Sequence, residues 1–388
     1  MTAGATHKSV PAARYGSRLE AASALACRHG FDGLLVGVGS DLRYLTGYEA
    51  MPLERLTMLV VPCGPPPALI VPRLEAPAAR AGLRTDVDLA AWDETGDPYG
   101  LVLDVIDRER LVAGARLAVS DQLWAAHLLR LQAHPAVPGA RFEPLSRVLR
   151  ELRMIKDDDE IDLLRRAARA ADRVVAAIAA GRLVGRTEAD VASEVRERLI
   201  AEGHETTSFA IVGSGPNSAS PHHEASDRVI RAGEPIVLDI GGTLGGYGSD
   251  ITRTLWVTGG DPAQGPDERF RVLYAILQGA QEAATLAVRP GVACEEIDAV
   301  ARRRIEAEGY GERFIHRTGH GIGLDGHEEP YLVAGNAEPL AEGMAFSVEP
   351  GIYIEGEYGA RIEDIVVCGP DGPIVLNEAP RELYVVDG

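Results

Sequence analysis

Between His316 and Pro330 the chain reads HRTGHGIGLDGHEEP, with three histidines and two glutamates in one short stretch. Such a stretch suits an ordinary polar loop or one wall of a metal site. Matching carboxylates elsewhere decide between the two. Asp239 and Asp250 lie in VLDIGGTLGGYGSDITRT, two apolar or β-branched segments around a glycine-rich turn, which predicts a hairpin. A turn centred near Gly245 sets the two aspartates opposite each other, with Cβ atoms about 5 Å apart. Carboxylates that close repel unless something positive sits between them, and Asp is disfavoured inside strands. One aspartate in solvent and one capping a turn is the ordinary alternative. Glu349 precedes Pro350 in FSVEPGIYI, so it marks a strand end or edge, because proline cannot donate to a ladder. Glu363, in ARIEDIVV, shares strand parity with Arg361, Ile365 and Val367, and an acid in that row is costly to bury unpaired. For either glutamate alone, a solvated edge strand serves as well. His320 sits in TGHGIG, where flanking glycines let backbone approach a bound group.

Together the residues say more than any one of them. Two Asp, one His and two Glu make an oxygen-rich donor set suited to Mn, Co, Zn or Fe(II). Two such cations, roughly 3.5–4 Å apart, lower the pKa of a water between them. Asp250 and Glu363 are the expected bridging carboxylates. Sulfur has no part in this: Cys27, Cys63, Cys294 and Cys368 form no CxxC pair, and reduced, mostly buried thiols are expected.

Those donors need a scaffold. Residues 1–13 read as a loose polar tail. From Arg14 the pattern turns αβ, with a helix over RLEAASALACRHG and strands at DGLLVGV, RLTMLVVP, PALIVP and RLAVS. A compact α/β domain over 14–153 is expected. MIKDDDE then marks a boundary to a second domain, 154–388. Its first helix starts near Asp158, with Ile161, Leu164, Ala168, Ala171, Val175 and Ile178 along one face and Gly181 as its stop. Thr187 caps a second helix that ends at Gly203. Two further helices span roughly 266–288 and 294–308. Strands follow at SFAIVGSG, EPIVLDIGG, SDITRTLWV, MAFSVEPGIYI, ARIEDIVVCG and PIVLN. Grouped strands joined by hairpins favour an α+β class for this half.

The whole chain has 388 residues and a net charge of −19. That charge argues against general nucleic-acid binding, which rests on neutralising phosphates. The sequence has no apolar run long enough for a membrane span and no apolar leader at its start, so a cytoplasmic location is expected.

The ordered motifs resemble the pita-bread metallopeptidases, which include prolidase, Xaa-Pro aminopeptidase and methionine aminopeptidase. In that family the ligands run Asp, Asp, His, Glu, Glu. Here they fall on Asp239, Asp250, His320, Glu349 and Glu363. DLRYLTGY and LRMIKDDDEIDLLRRAA resemble the creatinase/prolidase-type N-terminal domain and its linker. The likeness implies a pita-bread fold behind a smaller α/β domain, two divalent ions (Mn, Co or Zn), a proline-containing peptide substrate and a homodimer. It implies catalytic roles for His222, His327 and Glu349, with Glu349 moving the proton and the histidines donating to the carbonyl oxygen. His223 is the neighbour with which His222 is easily confused, and His316 is expected to be structural. Several dipeptide-specific prolidases resemble each other in an Arg at the place of Tyr331. The absence of that Arg leaves open whether dipeptides or longer Xaa-Pro peptides are cleaved. Tyr331 and Arg361 join His222 and His327 as expected substrate contacts, Arg361 with a ligand-orienting role as the alternative. A binding protein that kept the fold without catalysis would show a damaged ligand set, and here all five residues stand.

Overall fold

The computed structural model describes residues 10–106, 109, 111 and 114–388. Most of the tail expected over residues 1–13 lies outside them, and its last residues already belong to a helix, Ala12–Arg28. The chain forms two compact units, Val10–Arg153 and Met154–Gly388.

The first unit is a six-stranded mixed sheet ordered Asp88–Trp92, Ala68–Pro72, Met58–Pro62, Gly33–Gly37, Arg116–Val119, Arg141–Pro144. Its inner strands Gly33–Gly37, Met58–Pro62 and Ala68–Pro72 are buried at every residue, as continuous apolar runs covered on both faces must be. The expectation of four reduced thiols fails here. Cys27, near the end of the first helix, and Cys63, just after Pro62, are joined by a disulfide with Cα atoms 5.4 Å apart. Helix and strand come within bridging distance only once packed. Cys294 and Cys368 are free and buried.

The second unit is α+β. One four-stranded sheet runs Tyr384–Val386, Tyr247–Val257, Glu234–Leu244, Thr206–Ser214. Helices Asp158–Ala179 and Glu188–Ala201 cover one of its faces. Each begins with a capping box, Asp157 with Glu160 and Thr187 with Asp190, and each N-cap side chain contributes about 1 kcal/mol. Ile236, Leu238, Ile240, Ile251, Leu255 and Val257 pack under these helices. Strand alternation therefore turns Asp239, Gly241, Asp250, Thr252 and Thr254 to the opposite face.

The hairpin turn sits one residue further along than expected, which moves the strand register by two. Leu244 pairs with Tyr247, so the turn is Gly245–Gly246, and Asp239 stands opposite Thr252 while Asp250 stands opposite Gly241. Both turn glycines have positive φ, +61° and +86°, the requirement of a two-residue type I′ turn. The aspartates are thus diagonal neighbours on one face rather than directly opposed.

A five-stranded sheet runs Glu328–Leu332, Gly319–Gly321, Ala345–Val348, Asp364–Cys368, Pro373–Val375. Helices Glu268–Ala287 and Cys294–Ala307 pack on Phe346, Val348, Val366 and Cys368. Glu349 follows the end of the strand Ala345–Val348, the strand end expected there, whereas the continuous strand expected through Glu363 is broken between Arg361 and Asp364. Gly351–Ile354 and Tyr358–Arg361 form a separate two-stranded ribbon. Glu349 and Glu363 therefore occupy the two places where the chain leaves one sheet for the other, and Glu363 has no strand parity with Ile365. Pro350, which has no N–H to give a ladder, sits at the first break.

Candidate active site

A cavity of about 710 Å³ in the second unit is lined by Asp239, Asp250, His320, Glu349 and Glu363, together with His222, His327, Arg361, His316 and Arg317. The two sheets and the breaks at their junction thus bring all five expected ligand residues to one space. One donor atom each from Asp250, His320 and Glu363 lies within 4.8 Å of the others, and all three residues are buried.

His320 enters from a three-residue strand. Its Nδ1 lies 3.1 Å from the Gly321 carbonyl, which can only accept, so Nδ1 carries a proton and Nε2 is left for the cluster. Nε2 is 3.2 Å from Glu349 and 3.6 Å from Asp250. The flanking glycines serve a purpose other than the one expected. A Cβ on Gly319 would meet the Ser347 carbonyl at 1.9 Å and one on Gly321 the Glu329 carbonyl at 2.3 Å, so they admit neighbouring strands, not a ligand. Ser347 Oγ accepts from the His320 backbone N–H at 3.0 Å and donates to Glu349 at 2.9 Å, coupling the two side chains.

Arg361 is buried beneath the cluster. It donates to Asp239 Oδ2, to Thr252 Oγ1 at 3.0 Å, to Tyr353 Oη at 2.9 Å and to the Pro221 carbonyl at 3.2 Å. Thr252 Oγ1 in turn donates to Glu363 at 2.6 Å. Arg361 therefore ties Asp239 to Thr252 and, through it, to Glu363. Asp239 Oδ1 is buried with no hydrogen-bond partner among the described residues.

The electrostatics follow from this crowding. Burial, then the Asp239 charge, holds Asp250 well above the usual carboxylate range. Burial, then Asp250 and Glu349, does the same to Glu363. Burial also raises Asp239, against the pull of Arg361. Glu349 goes the other way: burial is outweighed by the hydrogen bond and charge of His320, then His316 and Arg361, and it is lowered to about 2. Four carboxylates and one imidazole, with an orphaned oxygen and three acids resisting ionisation, form a donor set that lacks positive charge. Divalent cations of the hard or borderline kind fit it.

The His327 ring lies against that of His320, with centroids 3.8 Å apart and the planes tilted by 38°. Burial, then the charges of His320 and Arg317, lowers its pKa to about 4, so it is neutral at ordinary pH. His222 lines the cavity, whereas His223 Nε2 lies 2.7 Å from Glu188, resolving the pair. Tyr331 does not line the cavity; its ring lies 4.3 Å from the Arg317 guanidinium, which does. His316 also lines the cavity, and it bonds Tyr353 Oη at 2.9 Å and the Arg317 carbonyl at 2.8 Å.

Thr252, Tyr353, Arg317 and Glu188 were not singled out from the sequence. Thr252 carried a usable signal, since it shares strand parity with Asp250. Glu188 carried none: it reads as one more acid in the first turn of a helix. Yet it is wholly buried and bonded to Ser214, Asn217, His223 and Ser226. Those bonds outweigh its burial and lower it to about 2.

Residues 162–370 match the model of metallopeptidase family M24, and residues 18–155 that of the Creatinase/Prolidase N-terminal domain. The chain belongs to metallopeptidase family M24 and has its pita-bread fold. It is 47% identical over 376 residues to a probable dipeptidase PepE of Mycobacterium tuberculosis, covering 96% of each chain. It is 35% identical over 361 residues to an Xaa-Pro dipeptidase of Lactobacillus delbrueckii subsp. lactis, covering 92% of this chain and 96% of the relative. The crystal structure of dipeptidase PepE from Mycobacterium ulcerans superposes with a TM-score of 0.89 at 46% identity, over 98% of this chain and all (100%) of the other.

Proposed function

We propose that this metal-dependent peptidase is an exopeptidase hydrolysing the Xaa-Pro bond of dipeptides or short peptides. The observation that carries the reading is the convergence of Asp239, Asp250, His320, Glu349 and Glu363 on one cavity with two histidines beside them. These five residues would hold two divalent ions, drawn from Mn, Co or Zn. When bound, such ions polarise the scissile carbonyl and lower the pKa of the attacking water.

The protein's own groups do the rest. Glu349, a carboxylate lining the cavity, accepts the water proton and passes it to the leaving proline nitrogen. His327 and His222 donate to the carbonyl oxygen as it gains charge. Arg361, tied to Asp239 and Thr252, keeps the ligand residues in register. A prolyl peptide bond has no N–H to offer a strand-like binding groove, so a shaped cavity suits it. The names of the dipeptidase and Xaa-Pro dipeptidase relatives support the dipeptide form over the Xaa-Pro aminopeptidase alternative.

Residues 14–153 and 154–388 are, in this reading, an N-terminal domain and a catalytic domain. Homodimerisation and a cytoplasmic location belong to the same reading through family likeness; light scattering and cell fractionation test them. No helix among the described residues is long and apolar enough to cross a membrane.

The test is turnover of Xaa-Pro dipeptides and Xaa-Pro-Yaa tripeptides after chelation and after refilling with Mn, Co or Zn. Dipeptide hydrolysis that vanishes on chelation and returns on refilling is expected. Full turnover by demonstrably metal-free protein overturns the metal mechanism, and faster tripeptide cleavage overturns the dipeptide preference.

A further inference from the structure

We infer that Arg317 is a positioning residue that sets the tautomer of His327; the inference rests on the role given above to His327. Arg317 Nη2 lies 3.3 Å from His327 Nδ1. A guanidinium has N–H donors and no acceptor. A hydrogen bond between these atoms therefore needs the lone pair on Nδ1, and the one ring proton of the neutral imidazole resides on Nε2. His327 then presents a donor, not an acceptor, through Nε2, as a carbonyl oxygen gaining negative charge requires. The opposite tautomer would set a lone pair against that oxygen.

Arg317 is itself held. Its guanidinium carbon sits 4.3 Å from the centroid of the Tyr331 ring, a cation–π contact that fixes the plane of the fork. Tyr331 is the strand partner of His320. The stack Tyr331–Arg317–His327 thus takes its reference from the strand that carries His320, and it gives Tyr331 a role through Arg317 rather than by direct contact. His320 and His327 take opposite tautomers for the same kind of reason: His320 Nδ1 faces a carbonyl and must donate, while His327 Nδ1 faces a guanidinium and must accept.

The test is ¹⁵N NMR of the histidine rings in the zinc-loaded full chain, with the His327 signals assigned by their loss in His327→Gln. The wild type is expected to show a protonated Nε2 and a bare Nδ1. Arg317→Glu places an acceptor beside Nδ1 and is expected to invert the pattern, while Arg317→Met gives a mixture. For Xaa-Pro substrates, Arg317→Glu lowers kcat by on the order of 10²-fold, as for loss of one oxyanion donor, with KM changed far less. A wild-type His327 protonated on Nδ1, or an unaltered tautomer in Arg317→Glu, overturns the inference. So does an Arg317→Met defect confined to KM and absent for substrates whose C-terminus is an amide, which would make Arg317 a carboxylate anchor. The NMR readout needs no turnover, so failure of the wild type to cleave Xaa-Pro bonds is a separate result.

Discussion

Removing the cations with a chelator should destabilise the unit Met154–Gly388 in a pH-dependent way. Asp250 and Glu363 are both held well above the usual carboxylate range by burial and by their acidic neighbours. In chelated protein each keeps a proton when folded that it loses when unfolded. The folded state then binds more protons, so stability falls as pH rises from the ordinary carboxylate range, about 4, through the raised values. Each unit of elevation removes about 1.4 kcal/mol. His320, raised because its bond to Glu349 outweighs its burial, acts in the same direction above about 6.5. Glu349, lowered to about 2, acts oppositely, but only as pH drops below about 4.3. Above pH about 4.3 the raised acids dominate, and chelated protein should melt at lower temperature as pH increases. Cations at about 100 times Kd add about 2.7 kcal/mol, which for a unit of this size raises Tm by roughly 5–11 °C. Scanning calorimetry of chelated and refilled protein across that range reads both effects. A Tm indifferent to pH and to metal would refute the electrostatic account of the cluster.

Substitutions at three residues probe the groups around it. Arg361→Met strands the buried Asp239 carboxylate and should cost about 3–5 kcal/mol in urea unfolding; Arg361→Lys recovers only part, because one ammonium cannot reach Asp239, Thr252 and Tyr353 together. Glu349→Gln should lower kcat on Xaa-Pro dipeptides by about 10²–10⁴-fold while the fold, followed by circular dichroism, persists. Glu188→Ala leaves the N–H groups of Ser214 and Ser226 without their acceptor, at about 1–3 kcal/mol each. Since Glu188 is lowered to about 2, its contribution is full above about 4.3 and is lost as pH falls toward 2. Acid unfolding of the wild type in that window should therefore be steeper than that of the variant.

Local chemistry made much of this fold readable in the sequence. The helix that starts near Asp158 announces itself through its apolar periodicity, the next through its Thr187 cap, and the hairpin through its glycines. What failed was tertiary. GTLGGYG offers more than one turn centre, and a shift of one residue converts opposed aspartates into diagonal ones. The sheet changes at Glu349–Pro350 and Ile362–Glu363 are set by how two sheets meet, so strand parity misleads at Glu363. Cys27 and Cys63 are 36 residues apart and meet only because a helix packs on a strand. The order of the five motifs named the residues around the cavity, and Arg361 already stood among the expected site residues with a ligand-orienting role as one reading; the contact of Arg317 with His327, ten residues further along the same loop, follows no helix or strand period.

The most direct measurement is anomalous diffraction from crystals of the full chain grown with manganese or zinc, recorded at the metal absorption edge. Two peaks bounded by Asp239, Asp250, His320, Glu349 and Glu363, with Asp250 and Glu363 touching both, are predicted. Peaks elsewhere on the protein, or none in a crystal whose solution holds excess metal, would contradict it.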